Sequence, residues 1–195
     1  ALICAMKKIV PPYVRISRVL RDIPAEYITG GLKNSLRDGV RERLKREGAA
    51  CRCIRCREYG HRLRQQIVIG TPSLRRLEYD TLGGREIFLS YEDDNGTLFG
   101  MLRLRLPEAK KQIPVFTKGK LSLIRELHVY GPELAIGGHS ADTAQHKGYG
   151  RSLITEAECI ARDEYGADVM AILSGVGARA YYGELGYQLN SGYMV

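Results

Sequence analysis

Two short stretches of this chain combine residue types at spacings that can do chemistry. The first is CRCIRCREYGH, which holds Cys51, Cys53, Cys56 and His61. Three thiolates and one imidazole complete a tetrahedral zinc site, and Cys-x-Cys-x2-Cys-x4-His is short enough to wrap a single ion. The same residues also read as reduced cysteines beside a turn. Cys4, on the far side of the Pro11-Pro12 break, is a substitute fourth ligand, and the lone Cys159 is a packing residue. The second stretch is Gln145-x-x-Gly148-x-Gly150, a glycine-rich loop opening an amphipathic segment. A helix entrance leaves backbone N–H groups unpaired at the positive end of the dipole, and side-chain-free positions let a phosphate oxygen come close.

The elements that must position these groups follow from periodicity. Leu153, Ile154, Ala157, Ile160, Ala161 and Tyr165 recur at helical spacing and predict a helix over 151–165. SLIRELHVYG before the loop reads as a strand, DVMAILS (168–174) as another, ARAYYGELG as a helix, and the C-terminus as a short strand pair through Tyr187 and Tyr193. Upstream, QQIVIG, REIFLSYED and TLFGMLRLRL read as strands, the last two joined by a hairpin turn at Asp94-Asn95-Gly96. Leu106 to Lys120 is a proline- and lysine-containing loop. Nearer the start, YVRISRV (13–19) is a short strand or extended linker. Ser35 and Asp38 resemble a capping box for a helix with Leu36, Val40 and Leu44 on one face, ending at Gly48. Strands followed by alternating helices and strands predict an α/β or α+β domain, with its ligand at the strand-to-helix loop.

Charge divides the chain. Of the 195 residues, 44% are hydrophobic and 27% charged, with a net charge of +8. Residues 1–75 carry 17 Lys+Arg against 6 Asp+Glu, whereas 76–195 carry 13 against 16. The division expected is a basic linker with the zinc site over 1–75 and the catalytic-type domain over 76–195. Excess positive charge suits a polyanion such as RNA, bound through counterion release; a solvated face that aids solubility is the other reading. The basic exterior of the 36–48 helix, with Arg37, Arg41, Lys45 and Arg46, is the candidate RNA face. No apolar run has the length of a membrane span and the N-terminus lacks a signal-peptide apolar region, so a cytoplasmic protein is expected, in which thiols stay reduced. ALICAMKKIVPP reads as the tail of something apolar, and the sequence as the C-terminal piece of a longer protein.

The strand, the Gly148/Gly150 loop with its periodic helix, and YYGELGY downstream together resemble the GNAT acyl-CoA N-acyltransferase superfamily. More narrowly, RELHVYG, QHKGYGRSLITEAE, SGVGARAYYGELGYQL and GYMV resemble the C-terminal acetyltransferase region of the Elongator catalytic subunit and its archaeal and bacterial counterparts. VRISRVLRDIPAEYITGG and CRCIRCRE resemble the basic linker after that family's radical S-adenosylmethionine domain. The resemblance implies a mixed, mostly antiparallel sheet with flanking helices and an acetyl-CoA site. The cofactor's pyrophosphate would lie on the backbone amides of Gln145, Lys147, Gly148, Tyr149, Gly150, Arg151 and Ser152. Its pantetheine arm would lie on the backbone of Glu126, Leu127, His128 and Val129. Tyr182, with Tyr181 lining the same channel, would sit near the thioester sulfur, where a phenol can protonate a leaving thiolate. Lys147 is placed to neutralise a phosphate. Glu126 and His128, two apart on one strand face, each could order a water for attack on the thioester, or His128 is a hydrogen-bonded strand residue.

The resemblance further implies action on wobble uridine 34 of tRNA to form 5-carboxymethyluridine. The partners implied are the tRNA anticodon region, a radical domain carrying S-adenosylmethionine and a [4Fe–4S] cluster in the same full-length chain, and Elongator-type subunits or a second copy. The zinc is expected to be structural, fixing the linker. Two other functions fit parts of the pattern: a protein lysine acetyltransferase, disfavoured by the basic first third, and a non-catalytic RNA-binding module.

Overall fold

The computed structural model describes residues 1–19, 25–27, 29–30, 36–108, 119–131 and 148–195. Gln145 and Lys147, like the Ser35 of the capping box, lie outside them. The chain divides into two compact units, Ala1–Ile67 and Val68–Val195. The 75/76 boundary of the sequence reading passes through the first strand, which belongs whole to the second unit.

The first unit is helical. Helix α1 spans Leu2–Ile9, α2 Leu36–Arg46, α3 Ile54–Arg57 and α4 Tyr59–Arg64. Residues 13–19 form no regular element, so of the two readings of YVRISRV it is the extended linker that forms. The heart of this unit is small: Cys4 from α1 packs with Val40 and Leu44 from α2, all buried, and Leu36, Ala49 and Cys51 flank them. The helical spacing of Leu36, Val40 and Leu44 is what turns this face inward. Helix α2 ends two residues before Gly48, whose φ of +63° a side chain would resist.

The second unit is a seven-stranded sheet in the order β1-β2-β3-β4-β5-β7-β6. Its strands are β1 Ser73–Thr81, β2 Gly84–Glu92, β3 Leu98–Pro107, β4 Leu121–Val129, β5 Val169–Ile172, β6 Leu189–Asn190 and β7 Tyr193–Met194. Among the described residues only β4 and β5 run parallel, and the other neighbouring pairs are antiparallel. This is the mixed, mostly antiparallel sheet with helices that was expected. One difference lies at its edge. QQIVIG forms no strand, and SLRRLEYDT, unassigned in the sequence reading, is β1. An edge strand with most side chains exposed carries little apolar alternation to reveal it.

Helix α5, Tyr149–Cys159, continues into a π-turn over Ile160–Glu164 and connects β4 to β5. Parallel neighbours require such a crossover. Its Leu153, Ile154, Ala157, Ile160 and Ala161 are buried against Ile87, Leu89, Leu102 and Leu104, on the sheet face opposite Phe88 and Arg103. Burying five such side chains contributes on the order of 10 kcal/mol before the entropy of ordering is subtracted. Helix α6, Arg179–Glu184, delivers Tyr182 into the same core.

Candidate functional site

The site in the second unit begins where β4 loses β5. The two strands pair only from Leu121↔Val169 to Ile124↔Ile172, yet β4 runs on to Val129. Just past the last pair a β-bulge interrupts the β3–β4 register: Arg103 faces Glu126 while Leu104 faces Ile124, leaving Arg125 as the extra residue. The backbone of Glu126, Leu127, His128 and Val129 is thus bonded to β3 on one side and lies beyond β5 on the other.

The far end of this stretch meets the entrance of α5. A Cβ built on Gly150 would lie 2.8 Å from the Tyr181 hydroxyl oxygen and 3.5 Å from Val129 Cγ2. Strand end, helix entrance and Tyr181 are therefore in contact. Among the described residues nothing lies within 4 Å of a Cβ built on Gly148. The helical ladder starts with the Ser152 N–H donating to Gly148 O at 2.8 Å, so the preceding amides sit at the positive end of α5 with no intrahelical acceptor. Tyr149 stacks obliquely on Tyr91, 4.7 Å between centroids, and the Tyr91 hydroxyl is 2.7 Å from Ser152 Oγ. Arg151 is exposed in the first turn of α5.

Tyr182 is buried among Ile154, Met194 and the β2–β4 side chains. Its ring meets Tyr181 edge-on at 5.3 Å and Tyr187 at 6.3 Å. Burial raises its pKa above the ordinary phenol value, so it holds its proton at neutral pH. Tyr187 is tied down separately, its hydroxyl donating to Glu158 Oε1 at 2.5 Å.

Glu126 and His128 are brought together: Nε2 of the imidazole lies 3.2 Å from Glu126 Oε1. The second carboxylate oxygen accepts from Arg103 Nε at 2.7 Å, and Arg103 also donates to the Tyr79 hydroxyl at 2.8 Å. Tyr79 donates in turn to Glu86 at 2.7 Å, whose other oxygen pairs with Arg125. The His128 hydrogen bond and then Arg103 hold the Glu126 carboxyl down at about 2. Glu126 is therefore a fixed anion and a weak base, and of the two groups the imidazole is suited to accept a proton. The sequence reading missed Arg103, although the alternation in LRLRL places Arg103 and Arg105 on one face.

In the first unit the sulfurs of Cys51, Cys53 and Cys56 lie within 4.8 Å of one another. Tetrahedral zinc at about 2.3 Å from each sulfur needs them about 3.8 Å apart, so the donor set fits a metal with modest closure. Hydrogen bonds from Cys51 and Cys56 depress the Cys53 thiol. His61 is not gathered with them. Helix α4 turns its ring back by one turn, with Nε2 3.6 Å from Glu58 and Nδ1 accepting from Arg64 at 3.1 Å. Cys4 contacts the Val40 carbonyl instead. Buried Lys7, a residue the spacing could not reveal, donates toward Cys56 Sγ at 3.7 Å. On α2, Arg37 turns inward and bonds the carbonyls of Ile16 and Ser17, Arg41 pairs with Asp38 at 2.9 Å, and Lys45 and Arg46 are exposed.

Among the described residues no helix is long and apolar enough to cross a membrane. No family model matches the sequence. Known relatives do. The tRNA uridine(34) acetyltransferase of Dehalococcoides mccartyi is 60% identical over 99% of this chain and 42% of its own length. Elongator complex protein 3 of Saccharomyces cerevisiae is 41% identical over 99% of this chain and 35% of its own length. Among solved structures, the archaeal Methanocaldococcus infernus Elp3 with an N-terminal deletion superposes with a TM-score of 0.82 at 42% identity, covering 99% of this chain and 46% of that one. The chain spans about two fifths of the length of the curated relatives it matches. Over its whole length it is homologous to the tRNA uridine(34) acetyltransferases and Elongator complex protein 3.

Proposed function

We propose that this chain is the acetyl-CoA-binding module of a tRNA-modifying enzyme that helps form 5-carboxymethyluridine at wobble uridine 34. It would work with a radical S-adenosylmethionine domain, bearing a [4Fe–4S] cluster, in the same longer protein. The observation that carries the reading is the continuous track from the β4 backbone beyond Ile124, past Val129, to the entrance of α5 at Gly150. Its amide edge suits the pantetheine arm, and the α5 entrance, with Gly148 to Ser152, suits the pyrophosphate. Bound there, acetyl-CoA supplies an acetyl group activated as a thioester. Tyr182 keeps a proton to donate at the thiolate sulfur, while Glu126, clamped by Arg103, orients His128 to take a proton from water. Gln145 and Lys147 complete the phosphate side in this reading. The basic first unit carries the tRNA anticodon region, the cysteines hold a structural zinc, and the enzyme is cytoplasmic. Elongator-type subunits or a second copy are the further partners proposed.

Acetyl-CoA thermal shift followed by hydrolysis with and without tRNA tests this. We expect stabilisation by RT ln(1 + [L]/Kd), about 2.7 kcal/mol at a hundredfold excess over Kd, and a hydrolysis rate raised by tRNA. No stabilisation at millimolar acetyl-CoA removes the enzyme reading, and turnover indifferent to tRNA but transferring acetyl to a lysine peptide replaces it with protein acetylation.

A further inference from the structure

The first unit contains a cavity of about 540 Å³ that the acetyl-CoA track does not use. Seven Lys and Arg side chains line it, contributed by α1, α2, α3 and α4, against one carboxylate, Glu42. Two of its cations are under-used. Arg37 Nη1 and Arg55 Nε are buried, and neither atom has a hydrogen-bond partner among the described residues. Arg37 is held by its other terminal nitrogen, which donates to the carbonyls of Ile16 and Ser17 at 3.3 and 3.2 Å. Arg55 sits between Cys53 and Cys56, in the turn that gathers the three cysteine sulfurs. Buried donors without acceptors are rare in folded proteins, so two on one cavity suit a ligand that brings acceptors, and seven cations against one carboxylate favour an anionic one.

Size and lining narrow the class of that anion. A cavity of this volume far exceeds a lone inorganic anion and falls in the range of small-ligand pockets, about 300–1,000 Å³. Leu44, Ala49 and Ile67 add apolar wall among the guanidiniums. Guanidinium forks match phosphate oxygens, and guanidinium planes and apolar side chains take a base face. A paired RNA helix keeps its bases stacked inside and offers only its outer backbone, which does not fill a cavity; a splayed nucleotide does. We infer that this cavity is a subsite for one unstacked, phosphate-bearing nucleotide of a single-stranded RNA loop. Arg37 and Arg55 hold its phosphate, and the exposed Arg41 and Lys45 hold the flanking backbone. The identity of the strand rests on the tRNA reading above; the preference for a phosphate-bearing ligand rests on the cavity alone.

Fluorescence anisotropy on the full chain tests this, with a tRNA anticodon stem-loop and a paired RNA duplex of equal length, and with uridine 5′-monophosphate and inorganic phosphate as competitors. The stem-loop should bind at least about tenfold more tightly than the duplex, and the nucleotide should compete better than phosphate. Arg55→Gln and Arg41→Gln should each weaken the stem-loop about five- to tenfold and lower the salt slope by about 1. Arg41 is exposed, so its variant reports on binding even where Arg55→Gln unfolds the unit, which circular dichroism reveals. Equal affinity for stem-loop and duplex, or unchanged stem-loop affinity in a folded variant while Arg46→Gln weakens it, overturns the cavity subsite and leaves the tRNA reading standing. A stem-loop that does not bind, with uridine monophosphate bound in an Arg55-dependent way, overturns the RNA strand as occupant and the tRNA reading with it. Tight stem-loop binding that free nucleotide cannot compete in any variant overturns the subsite alone.

Discussion

Glu126 is held by partners on both of its oxygens, and that has a consequence for pH. Its carboxyl is lowered from 4.5 to about 2 by the His128 hydrogen bond and by Arg103. A group whose folded pKa is depressed contributes stability that is present above its unfolded value and is lost as pH falls toward the folded one. The stabilisation should therefore be complete above about pH 5 and fade toward pH 2. Melting wild type and Glu126→Gln side by side should show a Tm difference that is largest near neutrality and closes through this window; a difference constant with pH would mean that Glu126 acts by packing. Tyr182 makes the complementary case. Its ring fills the core, while no described group hydrogen-bonds its hydroxyl. Tyr182→Phe should thus keep the fold and the acetyl-CoA thermal shift but lower tRNA-stimulated hydrolysis about a hundredfold, the usual scale for losing a general acid. An unchanged rate would return Tyr182 to the role of a packing residue.

At the scale of elements, strand β2 starts where the chain can only be glycine. Gly84 has φ +147°, and a Cβ there would lie 2.2 Å from the Leu106 carbonyl oxygen on β3. Gly84→Ala should cost about 2–4 kcal/mol, because both the backbone conformation and the β2–β3 register must yield. Urea unfolding would read this as a lowered midpoint, and a shift below about 0.5 kcal/mol would show that the turn relaxes freely. The same elements show what was legible in the sequence. The Leu153 to Ala161 spacing located α5 because one helical face packs on one sheet face, and β2 and β3 were legible as apolar runs because five consecutive residues of each are buried, on both faces of the sheet. Strand β1 lacked such a run, being an edge. The free backbone edge of Glu126 to Val129 was pointed to only by the family resemblance, since nothing in LHV states where a neighbouring strand stops. His61 shows the limit of ligand spacing: sequence distance to Cys56 was right for a loop, but a helical turn points the ring to Glu58 instead. The clamp on Glu126 needed β3 and β4 to be paired before Arg103 could be seen opposite it.

At the scale of the whole molecule the two units divide the chemistry. Residues 1–67 carry 16 Lys+Arg against 6 Asp+Glu, and 68–195 carry 14 against 16. The thiol triad, the orphan nitrogens of Arg37 and Arg55 and the basic cavity are in the first, and the track proposed for acetyl-CoA is in the second. The first unit has the smaller means to stand alone, because among its described residues only five apolar side chains are buried, Cys4, Val40, Leu44, Cys53 and Ile54, and a domain of that size usually needs a metal or a partner to fold stably. A structural zinc on Cys51, Cys53 and Cys56 would meet that need, since metal affinity for the folded site is folding free energy. Chelation should accordingly lower the melting transition of the first unit and weaken stem-loop RNA binding by tenfold or more, while stabilisation by acetyl-CoA persists. Cys53→Ser should reproduce the pattern without chelator. Unaltered melting and RNA affinity in a fully demetallated sample would assign the thiols to packing alone, and loss of the acetyl-CoA shift on chelation would show that the metal supports the cofactor site as well.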